Sequence, residues 1–206
     1  MLLVLILNLL VAHAETPLCA PTEPLSRVYP SSSPWDSPVT AQWSIADQTL
    51  TVRFDVTVPV QSEKLVFEPG KDYPFQYDVT EVFVTVGNPL SQSFTYYEFE
   101  ITPNKQIYNV RIKINGKKKT IQENPVLHSQ SDAAKTDSGW STVLKIPLES
   151  LGGSGDPAQI RGNLFAILGK DQRFFWSLNL PPVATQKQVN FHQPKYFKPL
   201  FDCTAP

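Results

Sequence analysis

Residues 50–58 read LTVRFDVTV. Leu50, Val52, Phe54, Val56 and Val58 alternate with Thr51, Arg53, Asp55 and Thr57. An extended chain therefore places five apolar side chains on one face and four polar ones on the other, the period-2 pattern of a half-buried β-strand. Outward from this stretch the pattern recurs. In YYEFEI (96–101), Tyr97, Phe99 and Ile101 oppose Tyr96, Glu98 and Glu100; in YNVRIKI (108–114), Tyr108, Val110, Ile112 and Ile114 oppose Asn109, Arg111 and Lys113. Asn115-Gly116 then supplies a dipeptide favoured by a tight hairpin turn. Further strands are predicted at 39–45, 80–86, 141–147, 164–168 and 173–179. No useful stretch has a 3.6-residue apolar period, and 19 prolines punctuate the joins. Many short alternating strands with turn signals predict a single all-β domain, an antiparallel jelly-roll-like β-sandwich. Two longer segments, 59–77 and 120–139, read as irregular loops.

The first 14 residues, MLLVLILNLLVAHA, form an apolar run ending in a small-x-small site. They read as a signal peptide whose removal would leave Glu15 first, and the run is too short for a transmembrane segment. Export to a secreted or periplasmic location is expected. Residues 15–34 read as an N-terminal segment and 35–206 as the sandwich domain. Cys19 and Cys203 are the two cysteines, and in an exported chain the default is one disulfide between them. Closing so long a loop contributes up to roughly 5 kcal/mol. Two free thiols or a catalytic cysteine are the alternatives.

A formal net charge of −1 with dispersed charges gives no case for nucleic-acid binding. The basic run RIKINGKKK (111–119) reads as a hairpin that keeps a sheet edge soluble. His128 and His192 are far apart and no C-x-x-C or H-x-x-x-H spacing occurs, so no zinc site is expected. Haem is argued against because Met1, the one methionine, leaves with the signal. No cofactor is expected, although the abundance of carboxylates and loop carbonyls is compatible with a structural calcium. No G-x-S-x-G occurs, and no catalytic residue is assigned. Two carboxylates across a sugar would define a glycosidase, and Glu98 with Glu100, or Asp78 with Glu81, are the pairs to consider. Among the aromatics, Trp43 and Trp176 sit in strand-like runs and read as core, with Trp35 and Trp140 less placed. Phe75, Tyr77, Phe191 and Tyr196 lie in loops, where a ring has less reason to serve packing.

Five motifs in order carry a resemblance. YDVTEVFVTV (77–86) resembles the D-x-x-E strand of family 9 carbohydrate-binding modules, with Asp78 and Glu81 at its acidic positions. YYEFEITPN (96–104), GWSTVLKIPLESL (139–151), RGNLFAILGKDQRFFWSLN (161–179) and FHQPKYFKPLF (191–201) are similar to the segments that follow it in that family. The resemblance spans Trp35 to Phe201 and implies a jelly-roll-like sandwich, with relatives in the DOMON group, that binds a poly- or oligosaccharide without catalysis. It also implies that Phe75 and Phe191 stack on a sugar and that Glu81 hydrogen-bonds its hydroxyls. Glu100, Arg173, Asn190 and His192 are the further polar candidates. This sequence departs from the family in having phenylalanine where tryptophan is usual, and Lys198-Pro199 where the closing signature has glycine and its neighbour. Such modules commonly serve an attached hydrolase, so an enzyme or envelope component is the expected associate. A cell-envelope structural or protein-interaction domain of the same fold is the alternative, followed by a glycoside hydrolase using Glu81, Glu98 or Glu100.

Overall fold

The computed structural model describes residues 22–64, 72–152 and 156–201. The expected signal peptide, Cys19 and Cys203 lie outside the described residues. The strands are β1 (Thr22–Pro24), β2 (Ser26–Tyr29), β3 (Val39–Ala46), β4 (Thr49–Val56), β5 (Val79–Val86), β6 (Ser93–Ile101) and β7 (Ile107–Asn115). They continue as β8 (Lys118–Glu123), β9 (Gln130–Lys135), β10 (Trp140–Pro147), β11 (Ile160–Leu168), β12 (Phe174–Ser177) and β13 (Lys198–Pro199). Among the described residues helical structure is confined to short 3₁₀ turns. The fold is the all-β, antiparallel sandwich expected from the alternation.

The smaller sheet has the order β1-β3-β4-β10-β9 and the larger β2-β12-β11-β5-β6-β7-β8, with β13 pairing β11. Every strand pair is antiparallel. Leu50, Val52, Phe54 and Val56 of β4 meet Val82, Val84, Phe99, Leu164 and Ala166 of the larger sheet, and all are buried in one core between the sheets. Thr80 and Thr142, both fully buried, link the sheets through a hydroxyl–hydroxyl hydrogen bond of 2.7 Å, which satisfies two polar groups that the core would otherwise strand. The closing segment docks here as well. Trp43 donates its indole N–H to the Leu200 carbonyl at 2.5 Å, and Leu200 packs over Gly162. A Cβ on Gly162 would stand 2.5 Å from the Phe83 carbonyl and 3.1 Å from Leu200 Cδ1. Gly162→Ala is therefore expected to cost ~1–3 kcal/mol, read as a melting temperature several degrees lower.

Three expectations are corrected. Segment 120–139 is not one irregular loop, because it contains the end of β8 and all of β9. β9 is an edge strand in which Ala133 alone is buried, so QSDAAK carries no apolar alternation to betray it. Thr22–Tyr29, placed ahead of the domain by the sequence, adds edge strands to both sheets. The β7–β8 turn is centred on Gly116-Lys117 rather than Asn115-Gly116, since Asn115 pairs with Lys118 and Gly116 has φ +59°. Glycine at the first central position is the type II′ preference.

A second apolar cluster lies on the opposite, outer face of the larger sheet. Val79, Phe83, Tyr96, Val110, Ile112, Phe165 and Ile167 are buried there under Leu180, Phe191 and Phe197 of the segment that runs back to β13. The larger sheet is thus covered on both faces, and the outer cover is incomplete.

Candidate functional site

The register of the larger sheet builds the site. Glu81 pairs with Phe165 on one side and with Glu100 on the other; Glu100 in turn pairs with Tyr108. In the next outward-facing row Phe83 pairs with Glu98, and Glu98 with Val110, which pairs with Glu123. Three glutamates therefore meet on the outer face, framed by aromatic and β-branched side chains. Two adjoining cavities open there. One, of about 240 Å³, is lined by Phe75, Glu81, Phe83, Glu98, Ile167, Phe175, Val189, Asn190, Phe191 and His192. The other, of about 190 Å³, shares Phe75, Glu98 and His192 with it and extends over Tyr73, Glu100, Tyr108, Lys119 and Glu123.

The rim is set by a 3₁₀ turn at Pro74–Gln76. Tyr73 is extended, Pro74 opens the turn, and the Gln76 side chain accepts the Tyr73 N–H at 2.9 Å. Phe75 N–H donates to Glu100 Oε2 at 2.8 Å, which fixes the turn to β6. Its ring lies parallel to that of Tyr73 (5.5 Å, 8°), which meets Tyr108 edge-on (5.5 Å, 68°). Phe75 is 45% exposed, an unusual position for so large an apolar group beside a cavity. On the far rim Phe191 is 8% exposed and stacked on Phe165 (4.1 Å, 14°), with Phe175 edge-on at 6.1 Å. Phe191 is thus mainly a packing residue, with one face already taken.

Burial dominates the electrostatics. Glu81 and Glu100 are held well above the usual carboxylate range, chiefly by desolvation and then by their acidic neighbours. Glu98 is pushed up to about 7, again chiefly by burial. His192 is lowered to about 4 by partial burial and by Lys119, and is therefore neutral at physiological pH. The Tyr96 hydroxyl lies 3.1 Å from His192 Nδ1 and Nε2 lies 3.9 Å from Glu98. A neutral ring accepting from Tyr96 at Nδ1 carries its proton on Nε2, facing that carboxylate.

Of the residues singled out in the sequence, Phe75, Glu81, Asn190, Phe191 and His192 line the first cavity, and Glu100 the second. Asn190 also shapes the rim, its Oδ1 accepting the His192 N–H at 2.9 Å. Arg173 lines neither cavity. Its guanidinium donates to the carbonyls of Gly169 (2.6 Å), Tyr77 and Phe75, so it braces the loop that carries Phe75. Tyr196 packs against the outer cluster, and Tyr77 is half-buried. Tyr73, Phe83, Tyr108 and Phe175 also line the cavities and were not among the site candidates of the sequence. The signal for Tyr108 was present, because it shares a face with Val110 and Ile112 opposite Glu98 and Glu100.

A sandwich of this topology with an aromatic, acid-lined outer face has the fold of family 9 carbohydrate-binding modules. A family 9 module from Caldicellulosiruptor kristjanssonii, solved with cellotriose, superposes with a TM-score of 0.52 at 13% identity, over 86% of this chain and 77% of that one. A candidate carbohydrate-binding protein from Bacteroides uniformis superposes with a TM-score of 0.59 at 16% identity, over 86% of this chain and 84% of that one. An extracellular protein of Arthroderma benhamiae is 25% identical over 158 residues, covering 67% of this chain and 68% of that protein. The sequence matches no protein-family profile.

Proposed function

We propose that the protein is an exported, non-catalytic carbohydrate-binding module and that the outer face of its larger sheet holds the saccharide. The observation that carries this reading is the pair of joined cavities, in which an exposed ring, Phe75, stands beside three buried carboxylates able to take hydroxyl hydrogen bonds. A sugar lies with its C–H face on Phe75 and its hydroxyls toward Glu81, Glu98 and Glu100, while His192 and Asn190 border it. The fold neighbours include a module solved with cellotriose, and a relative is extracellular. Both fit the reading. Export carries with it removal of the signal and a Cys19–Cys203 disulfide.

A hydrolytic role is less well served. A glycosidase needs two carboxyls flanking the scissile bond, whereas Glu81, Glu98 and Glu100 share one face of the β5–β6 pair. The second reading, a protein-interaction domain, draws on the burial of Phe191, which leaves one prominent ring at the rim.

A glycan array followed by calorimetry on the secreted protein tests the proposal. Phe75→Ala is expected to weaken binding at least about tenfold and to leave the melting temperature nearly unchanged, because the ring is 45% exposed. Unaltered binding in that variant removes Phe75 from the site; absence of binding to any glycan favours the interaction domain.

A further inference from the structure

We propose that the ligand of this face is a glycan with free amino groups, a chain of 2-amino-2-deoxy sugar units whose ammonium groups lodge among Glu81, Glu98 and Glu100. The inference rests on the saccharide reading above and names the class of saccharide.

Three carboxylates share one wall of the cavities, and each is at most 7% exposed. Glu81 and Glu100 face each other across a strand pair, and Glu98 lies two residues along β6 on the same side. Glu81 Oε1 is fully buried and has no hydrogen-bond partner among the described residues, while Glu98 and Glu100 share a side-chain hydrogen bond. Such an acceptor is costly when left unmet. Little basic charge stands against the three carboxylates, since Arg173 and Lys119 act on them only from a distance. Among the described residues no lysine or arginine nitrogen stands within 4 Å of the three glutamates, and the nearest basic group is His192 Nε2, 3.9 Å from Glu98. The Arg173 guanidinium is committed to carbonyls. Lys119 reaches the second cavity from β8 together with Glu123 of opposite charge. Asp78, the remaining buried acid nearby, is occupied by the backbone N–H groups of Gln61, Ser62 and Gly169.

A neutral sugar would supply hydroxyl donors but no charge. An ammonium supplies three donors and a positive charge together, which meets the open acceptor and stabilises the ionised form of carboxyls that burial disfavours. The remaining walls suit a cation too, because Phe75, Phe83, Tyr73 and Tyr108 line the cavities and aromatic rings attract cations. Since the two cavities share Phe75, Glu98 and His192, a linear chain crossing from one to the other passes the carboxylates on its way. Neutral His192 adds no repulsion. Docking of an ammonium favours the ionised form of carboxyl groups whose proton affinity burial raises, so protons are released to solvent on binding.

Calorimetry at about pH 6, where the amine and Glu98 carry protons, tests the inference with four probes: a glucosamine oligomer, the N-acetylglucosamine oligomer of equal length, a cello-oligosaccharide and putrescine. The glucosamine oligomer is expected to bind at least about tenfold tighter than the other three, with proton release seen as a heat that differs between buffers of different ionisation enthalpy. Glu98→Gln, which keeps the side-chain shape, is expected to erase most of that preference. Should this variant not fold, the four-probe ranking on the native protein decides alone. Equal or tighter binding of the neutral oligosaccharides overturns the inference and leaves the saccharide reading standing. Putrescine binding as tightly as the oligomer overturns it as well, since the face would then read an amine and not a glycan. Binding of none of the four, together with a blank glycan array, ends both.

Discussion

Asp78→Ala is expected to cost about 3–5 kcal/mol and to lower the melting temperature by roughly ten degrees or more. Asp78 is 1% exposed, and its two oxygens tie two other segments to the start of β5. Oδ2 accepts the N–H groups of Gln61 (2.5 Å) and Ser62 (3.1 Å), and Oδ1 accepts that of Gly169 (2.8 Å). Arg173 is a further favourable neighbour. Alanine would leave these donors unmet and remove a charge that balances a half-buried guanidinium. The loop after β4, the start of β5 and the β11–β12 turn would lose their common anchor, and the Pro74–Gln76 turn is attached to the same loop. Saccharide binding should therefore fall with stability. A thermal melt decides it; a variant melting within a degree or two of the native protein would show that the carboxylate is dispensable.

The second large effect is a decline of stability with rising pH. Glu81, Glu98 and Glu100 have folded-state values raised by burial, so above the ordinary value of 4.5 the folded chain holds protons that the unfolded chain has lost. Stability then decreases as pH rises. For Glu98, shifted to about 7, the change is on the order of 3 kcal/mol. His192 acts in the opposite direction. Its value is lowered to about 4, so between there and 6.5 the unfolded chain holds the extra proton and stability rises with pH. That gain is smaller, because the side chain is 39% exposed, and it is complete by 6.5. Arg173 and Lys119 moderate the glutamates without reversing them. Urea melts should find the protein more stable near pH 5 than near pH 8, with the Glu98 share of the decline falling between about 4.5 and 7, and Glu98→Gln should flatten the slope there. Stability that holds constant or rises across this range would mean that the three carboxylates are solvated in solution.

The sandwich was legible wherever burial is one-sided. β4 alternates cleanly because it faces one core and otherwise solvent or polar neighbours, and β6 does so because its second face carries the glutamates. β9 was illegible for the reverse reason: its one buried side chain, Ala133, leaves a polar string that reads as a loop. β5 carried more information than alternation alone could extract. VTEVFVTV is apolar on both faces, which is the mark of a strand covered on both sides, and the outer cover proved to be the segment around Phe191. In the site, Phe75 and Glu81 were reached through family resemblance and not through any local pattern. Tyr73 and Tyr108 escaped because their meeting depends on a 3₁₀ turn landing on β6 and β7, a tertiary fact with no sequence period. Arg173 was legible as a residue of the region but not in its role, since nothing local to RFFW announces that the guanidinium reaches back to carbonyls before β5.

The central claim, that the outer face of the larger sheet is where a glycan binds, is tested most directly by an amide chemical-shift titration of isotope-labelled protein with the best ligand from the array. The predicted result is a contiguous set of shifts at Phe75, Glu100, Tyr108, Asn190 and His192, with residues of the smaller sheet such as Arg53, Asp55 and Ser141 undisturbed. Shifts gathered instead around Arg53, Thr136 and Ser141, or none with any glycan, would contradict the account.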